Sequence, residues 1–162
     1  MEYQLQVITL PVSDVDKAVA FYTGQAGFTL DVDYHPAPGF RVVQLTPPGS
    51  ACSIQLGTGL TDAPPGSARA TYVAVTDIQA AHQELTARGV TVSGIRHKSP
   101  IDDWKGGYEP GPDSERRDYA SFADSADSDG NAWVIQEIGY HPLQDTSRGQ
   151  SPNRSIPSPP DS

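Results

Sequence analysis

Two histidines carry the most direct chemical signal in the sequence, because imidazole titrates near neutral pH and can act as a general acid or base. His35 and His97 each stand eight residues after a glycine, Gly27 and Gly89 respectively. Their equivalent positions predict two catalytic side chains at the mouth of a cavity. The alternative is that both are exposed histidines at the edges of loops.

The long segment after His97 supplies further candidates. Residues 98–118 mix acidic, basic and aromatic side chains with several glycines and prolines. Loops of this length in compact domains usually carry function or are disordered. We predict a mobile lid without regular secondary structure, in which Asp103 and Tyr108 assist catalysis and Trp104 covers a ligand. Packing of these aromatic residues on the flank of the domain, or at a dimer contact, is the alternative.

Two charged residues stand inside apolar runs. Arg41 lies between Phe40 and Val42 and is suited to bind a carboxylate or phenolate through charge-assisted hydrogen bonds. An exposed arginine on an edge strand is the alternative. Glu137 stands near the end of the last apolar run, and we predict that it is a solvated charge at the end of a strand.

An internal repeat supplies the elements that position these residues. The segments Val12–Val15 and Val75–Ile78 read VSDV and VTDI, and they are 63 residues apart. Each follows an apolar strand and precedes an amphipathic helix. Ser13 and Thr76 are the predicted N-caps of the two helices, and the two glycines named above are their predicted C-terminal stops.

Each predicted helix is followed by three predicted strands. They span residues 28–35, 40–45, 51–56, 90–97, 119–122 and 132–138. The order predicts an α+β domain in residues 1–140, built from two βαβββ modules at about 2–60 and 68–140. Residues 141–162 are rich in proline and serine, and this composition predicts a disordered tail.

The composition narrows the classes of partner. A net charge of -9 opposes binding to nucleic acid and to anionic membranes. No apolar run approaches the ~20 residues of a membrane-spanning helix, and the N-terminus lacks the pattern of a signal peptide. We therefore expect a cytoplasmic protein. The absence of Gly-rich phosphate loops and of GxSxG, HExxH and paired CxxC motifs excludes kinase-like, esterase, zinc-protease and zinc-finger functions.

Two stretches resemble a known family. LPVSDVDKAVAFYTGQAGF at residues 10–28 resembles the opening signature of the vicinal oxygen chelate superfamily, and DSDGNAWVIQEI at residues 127–138 resembles its closing DPDGNxWxLxE strand. This superfamily includes glyoxalases, bleomycin-resistance proteins and dioxygenases. The resemblance covers roughly residues 2–140. It implies an incomplete β-barrel made of two modules, a cavity for a small molecule, and a homodimer.

The resemblance also implies where a metal would bind. The family's ligand positions fall on Val7, Gln55, Ala70 and Val134. Three of these side chains have no lone pair to donate, so we predict that the protein has no metal cofactor. Polar side chains that share the orientation of these positions are the predicted ligand-binding residues: Ser53, Gln55, Tyr72 and Gln136.

Three functions remain open. The first is a metal-independent lyase or isomerase that uses acid/base chemistry on a small organic molecule. The second is a drug-binding or resistance protein without turnover, for which the acidic surface favours a cationic drug. The third is a metal-dependent lyase or dioxygenase, which the aliphatic residues at the ligand positions disfavour.

Overall fold

Each half of the repeat folds as one module, a sheet with a helix on one of its faces. The computed structural model describes residues 1–143. The first module contains β1 (Val7–Thr9), α1 (Val15–Ala20), β2 (Thr29–Ala37), β3 (Phe40–Thr46) and β4 (Ser53–Thr58), and α1 continues as a π-helical segment, Phe21–Gln25. The strand order is β1-β4-β3-β2, in which β1 is parallel to β4 and the other pairs are antiparallel.

The second module repeats this plan with one extra strand. It contains β5 (Thr71–Val75), α2 (Ile78–Ala87), β6 (Arg96–Lys98), β7 (Tyr108–Pro110), β8 (Ser121–Ala126) and β9 (Ala132–Glu137). The strand order is β5-β9-β8-β6-β7. The predicted α+β fold of two βαβββ modules is confirmed, and the two sheets do not close into a barrel.

The predicted helix caps are wrong by one position. Asp14 caps α1 and Asp77 caps α2, and each carboxylate accepts hydrogen bonds from backbone N–H groups of the first turn. A carboxylate also suits the positive end of the helix dipole, so aspartate outcompetes the neighbouring hydroxyl. Ser13 instead directs its hydroxyl and its backbone N–H to Asp129 of the second module.

Glycines end both helical segments, as predicted. Gly27 and Gly89 have φ angles of 77° and 83°, a left-handed conformation that glycine adopts without steric cost. The two helix ends also touch each other, because the side-chain amide of Gln25 donates to the carbonyl oxygen of Arg88 at 3.3 Å. Residues 25 and 88 are equivalent in the repeat, so this contact lies where the two modules meet.

The segment after His97 contains a short hairpin, so the prediction of a segment without regular structure is wrong for β7, whereas residues 99–107 and 111–118 lie outside helices and strands. Lys98 pairs with Tyr108, and Arg96 pairs with Pro110. Pro110 is tolerated because β7 is an edge strand, where a missing N–H group breaks no second ladder. The next strand, β8, also extends to Ala126, beyond its predicted end at residue 122.

An aromatic cluster holds the modules together. The rings of Tyr22 and Phe28 in the first module pack against Trp133 of the second, at centroid distances of 6.1 and 5.8 Å. The Tyr22 hydroxyl donates to Asp127 at 2.7 Å and accepts from the Trp133 indole at 3.0 Å. Burial, together with the nearby Asp127 carboxylate, raises the pKa of Tyr22, so this hydroxyl stays protonated and keeps its donor role.

Glu137 is fully buried, so its predicted place as a solvated charge is wrong. Its carboxylate accepts from the backbone N–H of Ile78 at 2.8 Å and from two nitrogens of Arg116 at 2.8 and 2.6 Å. Arg116 also bonds Asp77 and lies over the ring of Tyr140 at 3.8 Å. This group of residues fastens the start of α2 to the end of β9.

Within residues 1–143, no helix has the length and hydrophobicity needed to cross a lipid bilayer. Residues 141–162 are the predicted disordered tail, and from residue 144 onward this tail lies outside the described residues.

Candidate functional site

The side chains of the second sheet divide between two faces. Ala123 and Ile135 point toward α2 and pack with Ile78. Strand side chains alternate, so the residues between them lie on the opposite face, here called the helix-free face. Strand pairing places the predicted ligand-binding residues there, because Tyr72 pairs with Val134 and Gln136 pairs with Phe122.

Three aromatic rings and two cations gather on this face, and together they form the aromatic-cation cluster. Its members are Arg96, Lys98, Trp104, Tyr108 and Phe122. The Trp104 and Tyr108 rings are 5.6 Å apart, and the Tyr108 and Phe122 rings are 5.8 Å apart. Trp104 and Tyr108 remain 38% and 43% exposed, whereas Phe122 is buried beneath them. The cluster therefore offers aromatic surface to a ligand above a buried floor.

The cations of the cluster lie over its rings. The Arg96 guanidinium is 4.8 Å from the Tyr108 centroid, and the Lys98 ammonium is 4.5 Å from the Trp104 centroid. Arg96 is also paired with Asp124 at 2.7 Å. Cations at these distances are attracted to the negative faces of the rings, which keeps both side chains on the helix-free face.

The loop of the β6–β7 hairpin presents Trp104. The Trp104 indole donates to the carbonyl oxygen of Gly107 at 2.6 Å, and Ser99 donates its backbone N–H to the same oxygen at 3.0 Å. A side chain on Gly107 would collide with the Ser99 carbonyl, since its Cβ would lie 2.7 Å from that oxygen. Glycine is therefore required here for the hairpin to hold Trp104 over Lys98.

The first sheet also has one face without a helix, and that face carries a row of polar side chains. The Gln55 amide donates to the Thr9 hydroxyl at 2.7 Å, and the hydroxyls of Thr46 and Ser53 lie 2.7 Å apart. Ser53 and Tyr72, from different modules, line one cavity of about 260 Å³ between the two sheets. The structure thus brings these two predicted ligand-binding residues together.

Other predicted site residues lie elsewhere. Arg41 binds Asp33 through two hydrogen bonds of 3.0 and 2.8 Å and Asp16 at 2.7 Å. Hydrogen bonds from this guanidinium lower the pKa of Asp33. His97 points away from the cluster, because it alternates with Arg96 and Lys98 along β6, and its Nδ1 lies 2.8 Å from the Gly111 carbonyl oxygen.

The predicted catalytic residues are not joined into one constellation. His35 lies on β2 of the first sheet and His97 on β6 of the second. The exposed Asp103 pairs with Lys105 at 3.1 Å, and Tyr108 belongs to the aromatic-cation cluster. None of these four predicted catalytic side chains, all within the described residues, hydrogen-bonds another.

Three members of the cluster are not among the site residues that the sequence predicts. Arg96 and Phe122 fall in predicted strands, and Lys98 falls at the start of the predicted lid. The sequence does contain a signal for the two cations, because Arg96 and Lys98 are two residues apart and follow the apolar residue Ile95. In a strand, this spacing places both cations on one face and the apolar residue on the other.

A larger cavity, of about 340 Å³, opens on the helix side between the two modules. Phe21, Tyr22, Phe28 and Trp133 line it together with residues of α2. The polar groups of two of these walls are already hydrogen-bonded, because the Trp133 indole donates to the Tyr22 hydroxyl and that hydroxyl donates to Asp127. These walls belong to the core that joins the modules, so we regard the cavity as a packing feature and place the candidate site on the helix-free face.

A family model for the Glyoxalase/Bleomycin resistance protein/Dioxygenase superfamily matches residues 4–135. The chain belongs to this superfamily. A comparison with curated proteins gave no match.

Solved structures of the superfamily resemble this chain. TnmS3, an antibiotic binding protein from Streptomyces sp. CB03234, is 29% identical over 84% of this chain and 96% of its own, with a TM-score of 0.63. A glyoxalase/bleomycin resistance protein from the same organism is 28% identical over 83% of this chain and 100% of its own, with a TM-score of 0.62. A superfamily member from Sphaerobacter thermophilus DSM 20745 is 26% identical over 85% and 98%, with a TM-score of 0.64.

The metal that the superfamily implies does not fit the residues present. Val134 is buried, and Ala70 has a φ of 54° and lies outside any strand. The side-chain amide of Gln55 already donates to the hydroxyl of Thr9. Valine and alanine side chains cannot coordinate an ion. Within residues 1–143, no three His, Cys, Asp or Glu side chains converge.

Proposed function

We propose that this superfamily member is a binding protein for a planar aromatic small molecule, which it holds on the aromatic-cation cluster without turnover. The observation that carries the proposal is the exposure of Trp104 and Tyr108 above buried Phe122, with two cations alongside. Small-molecule sites are typically apolar and aromatic, with a few polar groups that orient the ligand.

The resemblance to TnmS3 supports binding as the function. TnmS3 is described as an antibiotic binding protein, and this chain matches it over most of both lengths. Binding also accounts for the geometry better than the acid/base enzyme that the histidines suggested. His97 faces away from the cluster, and Asp124, which lies on the cluster's face, is paired with Arg96.

Intrinsic fluorescence tests this proposal, because the chain has only two tryptophans. Trp104 is exposed and Trp133 is 7% exposed, so a ligand at the cluster quenches mainly Trp104. The probe is phenazine-1-carboxamide, a neutral planar tricycle. Trp104→Ala should weaken its binding, measured by calorimetry, by about 1 kcal/mol, roughly fivefold.

Tyr3→Ala is the matched control, since Tyr3 is an exposed aromatic residue outside the cluster, and it should leave binding unchanged. Chromatography should recover the probe intact after prolonged incubation. Equal affinity of Trp104→Ala and the parent would refute the site, and conversion of the probe would refute a function limited to binding.

We also propose that a second copy of the chain covers β2. All nine residues of this edge strand are exposed, including Leu30, Val32 and Tyr34 at 43%, 43% and 56%. Long exposed edges with apolar side chains tend to pair with another chain. Val32→Lys should convert a dimer to a monomer in sedimentation experiments, whereas Leu5→Lys, at an exposed leucine outside β2, should not. A parent protein that sediments as a monomer would exclude this dimer.

A further inference from the structure

We propose that the ligand of the aromatic-cation cluster is an anion, a planar aromatic carboxylate or phenolate whose charged oxygen binds the Lys98 ammonium. This inference rests on the proposed binding function and specifies the chemical class of the ligand. It runs against the net charge of -9, which by itself favours a cationic ligand.

The surroundings of Lys98 carry the inference. Its ammonium lies 4.5 Å from the Trp104 centroid and 5.5 Å from the Phe122 centroid. The neighbouring cation, Arg96, has a carboxylate partner in Asp124, and the exposed Lys105 has one in Asp103. Among residues 1–143, Lys98 makes no salt bridge, and its ammonium donates no hydrogen bond to a protein group.

Aromatic rings stabilise such a cation only in part, because they attract its charge without accepting strong hydrogen bonds from it. The ring faces attract the ammonium but accept none of its three N–H bonds in a strong hydrogen bond. The rings also displace some of the water that would otherwise solvate it. A ligand oxygen that carries negative charge supplies the missing acceptor, and bonds of this kind are about twice as strong as those between neutral groups.

The long-range charge of the protein does not overrule this contact. Salt screens interactions between exposed charges beyond about 8 Å at physiological ionic strength. Two carboxylates beside the cluster are also occupied, since Asp124 binds the cluster residue Arg96 and Asp103, next to Trp104 in the chain, binds Lys105. The charge that the ligand meets at contact distance is therefore that of Lys98.

The rest of the cluster selects for a flat ring system. Trp104 and Tyr108 expose ring surface, and Phe122 closes the floor. Gln136 adjoins Phe122 across the β8–β9 pair and adds a neutral polar group on the same face. A planar aromatic acid can stack on these rings while its acidic group reaches Lys98.

A matched pair of probes tests the charge of the ligand. Phenazine-1-carboxylate and phenazine-1-carboxamide share one ring system, and at pH 7.5 only the first is charged. We expect calorimetry on the full chain to show that the carboxylate binds at least tenfold more tightly. Lys98→Gln should remove this preference, so that the ratio of the two affinities falls to about one, and Lys98→Arg should restore it.

Lys17→Gln is the control for overall charge. Lys17 is an exposed lysine on α1, which packs on the other sheet, so its replacement changes the net charge equally and should preserve the tenfold preference. Thermal melts confirm that each variant is folded.

Three results would overturn the inference. Equal affinity for the two probes, with both dependent on Trp104, would refute an anionic ligand and leave the proposed binding function intact. Equal loss of both probes in Lys98→Gln would mean that Lys98 supports the packing of the rings and does not recognise charge. Binding of neither probe would count against the inference and the proposed function together.

Discussion

Arg116→Met is expected to destabilise the fold strongly, because it leaves the carboxylate of Glu137 buried without its cation. Glu137 is 0% exposed and the Arg116 side chain only 14% exposed. Truncation of one partner of such a buried pair typically costs about 3–5 kcal/mol. The Arg116 bond to Asp77 and its contact with Tyr140 are lost as well, which places the expected loss in this range.

The expected loss of stability can be expressed as a shift in melting temperature. For a domain of this size, about 1 kcal/mol corresponds to a shift of roughly 2–4 °C, so we expect Arg116→Met to melt about 6–20 °C below the parent. The added Glu137→Gln substitution should recover part of the loss, because it removes the unpaired charge while an amide oxygen still accepts from Ile78. Urea unfolding at 25 °C provides the free energies for this double-mutant cycle.

Arg88→Met is the matched control. Arg88 pairs with Glu84 at 2.8 Å, but both side chains are well exposed, at 43% and 64%. Surface pairs of this type contribute about 0–1 kcal/mol. A loss in Arg116→Met no larger than that in Arg88→Met would refute the view that the buried pair fastens α2 to β9.

Tyr22→Phe should lower stability by about 1–3 kcal/mol in urea unfolding, since it deprives buried Asp127 of a donor and the Trp133 indole of an acceptor. Hydrogen bonds from Arg117 lower the pKa of Asp113 to about 2. Its contribution to stability is therefore complete above the unfolded pKa, near 4, and is lost as the pH falls through about 2. Acid titrations should show a smaller loss over this interval in Asp113→Asn than in the parent. Elemental analysis of protein purified without chelator should find no stoichiometric zinc, iron, nickel or manganese, and one equivalent of any of them would revive a metal-dependent function.

Local sequence patterns were sufficient to predict much of the fold. The 63-residue repeat placed both helices, and the alternation of strand side chains correctly put Tyr72 and Gln136 on the face shared with Val134. The glycine stops at Gly27 and Gly89 were also read correctly. These features depend on backbone geometry over a few neighbouring residues, which residue type and spacing largely specify.

The surroundings of the charged residues could not be read in this way. Glu137 is buried because Arg116, 21 residues away, folds back onto it, and the Ser13 hydroxyl binds Asp129 of the other module and does not cap α1. The candidate site has the same character, since Lys98 meets Trp104 and Phe122 only after β6 pairs with both β7 and β8. A charge is stabilised by whatever lies within a few ångströms of it, and distant chain segments supply those neighbours only when the modules pack.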